Sequence, residues 1–229
     1  KSEMTARIAL TNSLVGHAWH ARGDGVSRTV SDSGRQLFGE RLAEARAVLI
    51  EARALPVSCP GWWAAAQQVA LGEGWDRQVY DSLFQDAVTR EPTYFAYYEL
   101  RALHLLRRWY GEDGEWQRDA RASADAHPGV VGDEIYARIV WSQEDLGLDD
   151  YFADSSASWA RTRRGFEHML RAHPGSLEIR SKFARLAVRA GDRPEARRHF
   201  TELGGRVDPA AWDATWSYRV ARKWAFKDD

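Results

Sequence analysis

The spacing of apolar residues predicts helix along nearly the whole chain. Between Arg35 and Leu55, Phe38, Leu42, Ala45, Leu49 and Ala52 step by 4, 3, 4 and 3, which places them on one helical face. Asp32 and Ser33 are candidate caps for this helix and Pro56 its stop. Ile179, Phe183, Leu186 and Ala190 repeat the stepping, and Ala196, Phe200 and Leu203 follow it in the next segment. Runs that alternate β-branched and polar residues are missing, so no strand is predicted.

Glycines and prolines cut this pattern into segments the length of one hairpin arm. The expected helices lie near 4–20, 34–54, 61–71, 75–90, 93–109, 114–126, 131–146, 156–172, 176–190, 193–203 and 210–224. Residues 1–34 include a less regular N-terminal part. Pro92, Pro128, Pro174 and Pro209 are separated by 36, 46 and 35 residues, close to the period of a two-helix repeat with one insertion in the middle interval. Phe84 and Phe166 each stand eight residues before their proline. A hairpin of this kind cannot bury its apolar face alone, so stacking supplies the core. The expectation is an all-α, TPR-like superhelix of about five hairpins forming one domain over 1–229, with an acidic insertion loop at 147–155 that carries Asp149, Asp150 and Asp154.

Composition narrows the function classes. A net charge of −1 over 229 residues gives no electrostatic reason to hold nucleic acid or an acidic membrane. Cys59 is the only cysteine, which excludes an intramolecular disulfide, a CxxC pair and a zinc ribbon. No stretch approaches the roughly 20 apolar residues of a membrane helix, and residues 1–10 lack a signal-type apolar core. A cytoplasmic location is expected, while a first residue, Lys1, that is not Met is compatible with an upstream targeting segment.

Several further features resemble one bacterial group. These are Trp19, Arg22 and Gly23, then Phe38 to Leu42, Pro60 with Trp62, Gly74 and Trp75 with Tyr80, and Trp109, Tyr110 and Gly111 with Gly114, Glu115 and Trp116. Tyr136 to Ile139 with Trp141, Trp159 with Gly165 and Phe166, Pro174 with Ser176, and Ala190, Gly191 and Asp192 extend the likeness over nearly the whole chain. It is a resemblance to the domain-of-unknown-function family numbered 4034. It implies a TPR-like helical fold and offers no activity, substrate or catalytic residue to carry over.

The 11 Trp and 8 Tyr invite two readings. A regularly spaced aromatic on a helical arm usually packs between helices, and Trp75, Trp159 and Trp216 suit that role. The sharper reading is a groove: Tyr94, Tyr97, Tyr98 and Arg101 on one helix, Trp109 following on the same arm, and Arg138 with Trp141 on the next first-type helix. Those residues would line a concave face with arginine donors for a carboxylate or for stacking on a ring. Trp19 and Arg22 form a second cluster, with Gly23 ending a helix as its C′ residue.

Other chemistries have weaker sequence support. His17 and His20 with Asp24 lack an evident fourth metal ligand, so no metal is expected. Cys59 would act as a nucleophile only beside a histidine. Glu112, Asp113, Glu115 and Glu134 would supply a glycosidase pair, although acidic residues opening a helix equally favour its dipole. The arginines 161, 163, 164, 193, 197 and 198 interleave with Glu167, Glu195 and Glu202 as on a solvated helix face. The resulting expectation is a scaffold without cofactor that recognises a protein or extended peptide, in a toxin-neutralising or complex-assembly role. The alternative is a small hydrolase or carbohydrate-binding protein that uses the Trp-lined groove.

Overall fold

A computed structural model of the chain describes residues 2–23, 29–56, 58–144, 151–206, 208–212 and 218–227, and these are all-helical with no strand among them. They form two compact units, 1–111 and 112–229.

The first unit contains α1 (Ser2–Arg22), α2 (Asp32–Arg53), α3 (Pro60–Glu73), α4 (Arg77–Arg90) and α5 (Ala96–His104). Most of the predicted stripe of α2 is buried: Leu42, Ala45 and Leu49 pack with Val15 and Ala18 of α1 and the alanine-rich face of α3, Ala52 is buried as well, and Phe38 is half-buried at the edge of the same cluster. Small residues at 65, 66 and 70 let α3 approach its neighbours closely enough to touch α1, α2, α4 and α5. The cap of α2 is Ser31, one residue before the expected pair. Its Oγ accepts from the Gly34 amide at 3.0 Å, an arrangement worth about 1 kcal/mol.

The expected helix 93–109 is much shorter. Tyr94 lies in the turn before α5, and after His104 the chain folds back, with the Tyr110 amide donating to His104 O and the Gly111 amide to Leu106 O. A Cβ on Gly111 would stand 2.0 Å from Leu105 O, so the return is tight enough to exclude a side chain there. Trp109 therefore belongs to a turn and does not continue the arm.

The second unit contains α6 (Glu115–Asp125), α7 (Val130–Ser142), α8 (Tyr151–Ser155), α9 (Trp159–Ala172), α10 (Leu177–Arg189), α11 (Arg193–Leu203) and α12 (Tyr218–Ala225), with a 3-10 turn at Pro209–Ala211. α7 packs on α6 and α9, and α10 packs on α11. Phe166, Phe183 and Phe200 are fully buried along this stack. Part of the expected insertion loop is helical: Tyr151 of α8 is buried and its hydroxyl donates to Val140 O at 2.7 Å, which anchors the segment. Asp149, Asp150 and Trp216 lie outside the described residues.

Each of the four cadence prolines falls in a connector: Pro92 between α4 and α5, Pro128 between α6 and α7, Pro174 between α9 and α10, and Pro209 between α11 and α12. Proline lacks an amide and cannot continue a preceding ladder, which suits it to a connector; α11 itself already ends at Leu203, where Gly204 takes a φ of +59°.

Candidate functional site

The expected groove divides into residues that are core and residues that are accessible. Tyr97 and Tyr98 are buried, and their hydroxyls donate to Pro60 O at 3.0 Å and Pro92 O at 2.9 Å. A buried phenol needs such a partner, and here it ties helix α5 to the starts of neighbouring segments. Burial raises both phenols, Tyr98 to about 12, so neither ionises near neutrality. Arg101 is buried with its Nη1 2.7 Å from Asp81 Oδ1, and its guanidinium lies 4.5 Å from the Phe84 ring centre. These three residues hold unit 1 together and do not line a binding surface, which corrects the expectation for them. Tyr94 is half-buried against Tyr97, ring centres 4.9 Å apart.

Trp19, Arg22 and Trp109 do come together. The two indoles meet edge to face at 5.3 Å, Trp19 also meets Phe38 at 4.8 Å, and the Arg22 guanidinium stands 5.5 and 5.9 Å from the two indole centres. Gly23 follows with φ of +75°, as its expected role as a helix C′ residue requires. The cluster seals the end of α1. His17 and His20 are exposed, Asp24 lies outside the described residues, and among the described residues no three His, Cys, Asp or Glu side chains gather as a metal would need.

Arg138 and Trp141 share a half-exposed face of α7. Arg138 Nε donates to Glu134 Oε1 at 2.9 Å, and His168 Nε2 lies 3.3 Å from the other oxygen of Glu134. Trp141 receives the Lys182 ammonium from α10 at 5.0 Å from its ring centre, while Lys182 also pairs with Glu178 at 2.5 Å. Each cation has a carboxylate one helical turn away, so the patch is an indole platform set among charges of both signs. The carboxylates considered for hydrolysis have structural duties: Glu134 holds Arg138, and Glu115 Oε2 accepts from the Glu112 amide at 2.8 Å at the start of α6.

A second candidate surface was not expected from the sequence. In unit 1 a cleft of about 330 Å³ opens where α2 ends and α3 begins. Trp62 and Trp63 form its aromatic wall, edge to face at 4.9 Å, with Met4 and Pro56 beside them. Trp62 Nε1 donates to Leu49 O at 2.9 Å, which fixes that ring. Arg53 lies 5.7 Å from the Trp62 ring centre and Arg90 lies 5.3 Å from that of Trp63. Cys59, the N-cap of α3, is half-buried in the same cleft and its side chain caps no amide. No histidine is among the lining residues, so the condition for a thiol nucleophile is not met there. The adjacent Trp62 and Trp63 were the sequence signal for this cleft, but the arginines that join them come from positions 53 and 90, on two other helices.

Family models, curated proteins and solved structures were all compared with this chain, and none of them matches it.

Proposed function

We propose that the chain is a TPR-like array of about five helical hairpins that binds a protein or extended peptide, and that its resemblance to family 4034 reflects common descent. The placement of all four cadence prolines in connectors supports a repeat. The observation that carries the binding reading is the α7–α10 face, where half-exposed Trp141 lies among Arg138, Lys182, Glu134 and Glu178. Binding hot spots favour Trp and Arg within a polar surround. An open face with paired charges of both signs suits a polypeptide, which brings its own charges and apolar side chains in series. Neutralising a toxin and assembling a complex are the roles we propose for such a face.

The test compares capture from native lysate, read by mass spectrometry, for the wild type and the doubly reversed Arg138→Glu, Lys182→Glu variant. The two side chains are half-buried, 31% and 22% exposed, and each reversed charge faces Glu134 or Glu178 one turn away, so a loss of about 1–2 kcal/mol is expected and circular dichroism verifies that the variant is folded. Specific partners should fall at least about tenfold, as expected when charges oppose at a contact. Unchanged capture by the folded variant rules this face out.

A further inference from the structure

The cleft between α2 and α3 has chemistry that the α7–α10 face lacks. It is concave, its walls are apolar where Met4, Pro56, Trp62 and Trp63 meet, and its charged side chains are two arginines with no carboxylate among the lining residues. Among the described residues neither Arg53 nor Arg90 makes a hydrogen bond or ion pair; each rests only on a tryptophan face. Elsewhere in the chain arginines are commonly neutralised, as Arg101 is by Asp81, Arg161 by Asp133 and Arg185 by Glu144. Two guanidiniums left over beside one cleft make its potential positive, and the indoles hold them in place at little further entropic cost on binding. The first turn of α3, which opens here, carries no acidic residue to offset that charge.

Size and hydrogen bonding restrict the occupant. About 330 Å³ is at the small end of ligand pockets, enough for a compound of about ten heavy atoms and too small for a dinucleotide. The charged and polar side chains offer mainly donors, with the Ser58 hydroxyl the one oxygen acceptor among the lining side chains. An ammonium finds no counter-charge there, whereas a carboxylate finds two guanidinium forks. We propose that this cleft binds a small monocarboxylate with a flat or branched apolar body, its ring or branch against the tryptophan wall and its carboxylate between Arg53 and Arg90. The proposal concerns unit 1 alone and stands or falls separately from the α7–α10 face.

Phenylacetate is the test compound, titrated into the full chain while the indole N–H signals of the 11 tryptophans are followed by nitrogen-15 NMR. Trp63→Phe assigns one of the two cleft signals. Saturable shifts of the Trp62 and Trp63 signals are expected, with a Kd at or below about 1 mM. Phenylacetamide should bind at least about tenfold more weakly and phenethylamine more weakly still. Arg90→Gln and Arg53→Gln should each weaken phenylacetate about tenfold, and because both side chains are exposed and unpaired their melting temperatures should match the wild type. Absence of saturation at tenfold the expected Kd, equal affinity for the amide, or unchanged binding by either arginine variant overturns the proposal. A tripeptide ending in phenylalanine that binds more tightly than phenylacetate overturns the free-acid assignment and makes the cleft a site for a chain end.

Discussion

Arg101 and Arg138 are both arginines beside aromatic residues on helices, yet Arg101 is buried and Arg138 is half-exposed, and Arg101→Met measures what burial does. Methionine keeps most of the apolar stem and removes the charge. The lost contacts are the 2.7 Å bond to Asp81 Oδ1 and the guanidinium stacked 4.5 Å from the Phe84 ring centre. Removing one partner of a buried pair costs about 3–5 kcal/mol. Asp81 moderates this, because its side chain is 39% exposed and Arg77 Nε remains 3.0 Å away, so the expected loss is about 2–3 kcal/mol. A double-mutant cycle with Asp81→Asn in urea should give a coupling of about 1–2 kcal/mol, against about 0.5–1 kcal/mol for Arg138 with Glu134, whose side chains are 31% and 12% exposed.

The effect should also depend on pH. Burial pushes the Asp81 carboxyl up, but the hydrogen bonds and charges of Arg101 and Arg77 outweigh it and hold it below 3.8. A carboxyl depressed in the folded state contributes stability that is present above its unfolded value and lost as pH falls through the folded one. The gap between wild type and Arg101→Met is therefore full above about pH 5 and narrows below about pH 4. A variant whose stability stays within about 0.5 kcal/mol of wild type while partner capture disappears would refute this assignment and restore Arg101 to a binding surface.

Other predictions concern the packing of unit 2 and the ends of helices. Gly165→Ala should destabilise by about 2 kcal/mol or more, because a Cβ there would stand 2.1 Å from Asp133 O and 2.5 Å from the Ala137 Cβ. Gly16→Ala in α1 meets nothing within 4 Å and should stabilise by up to about 1 kcal/mol, so urea midpoints that move in the same direction contradict the packing described. His199 is buried, and burial, followed by the Arg198 charge, lowers it from 6.5 to about 4 despite its contact with Glu195 at 2.9 Å. Only the unfolded chain takes up that proton between those values. Stability should thus fall by roughly 3 kcal/mol as pH drops from 6.5 to 4, a slope that calorimetry should find flattened in His199→Gln. Ser31→Ala should cost about 1 kcal/mol by freeing the Gly34 amide, and hydrogen exchange there should quicken.

Local rules carried much of the fold. The stripe on α2, the stepping of Ala196, Phe200 and Leu203 and the four connector prolines were legible because each depends on residues within two turns of one another, where helical period and proline sterics act directly. Elsewhere two local rules compete. Helix propensity extended α5 through Trp109, but the backbone return that closes on Gly111 ends the helix at His104. Ser31 lies one residue before the expected caps, a difference that only the direction of its Oγ decides.

Burial was the property the chain alone left open. Tyr97, Tyr98 and Arg101 on one side and Arg138 and Trp141 on the other have the same residue types in similar helical settings. The first group is core because Pro60 O of α3 and Asp81 of α4 meet it, together with Pro92 O in the connector just before α5. The same dependence on distant segments builds the Trp62 and Trp63 cleft, whose arginines stand at positions 53 and 90. Helical period and breakers are local and were written in the order of residues. Which aromatic is staple and which is surface depends on helices far apart in sequence, and only their packing decided it.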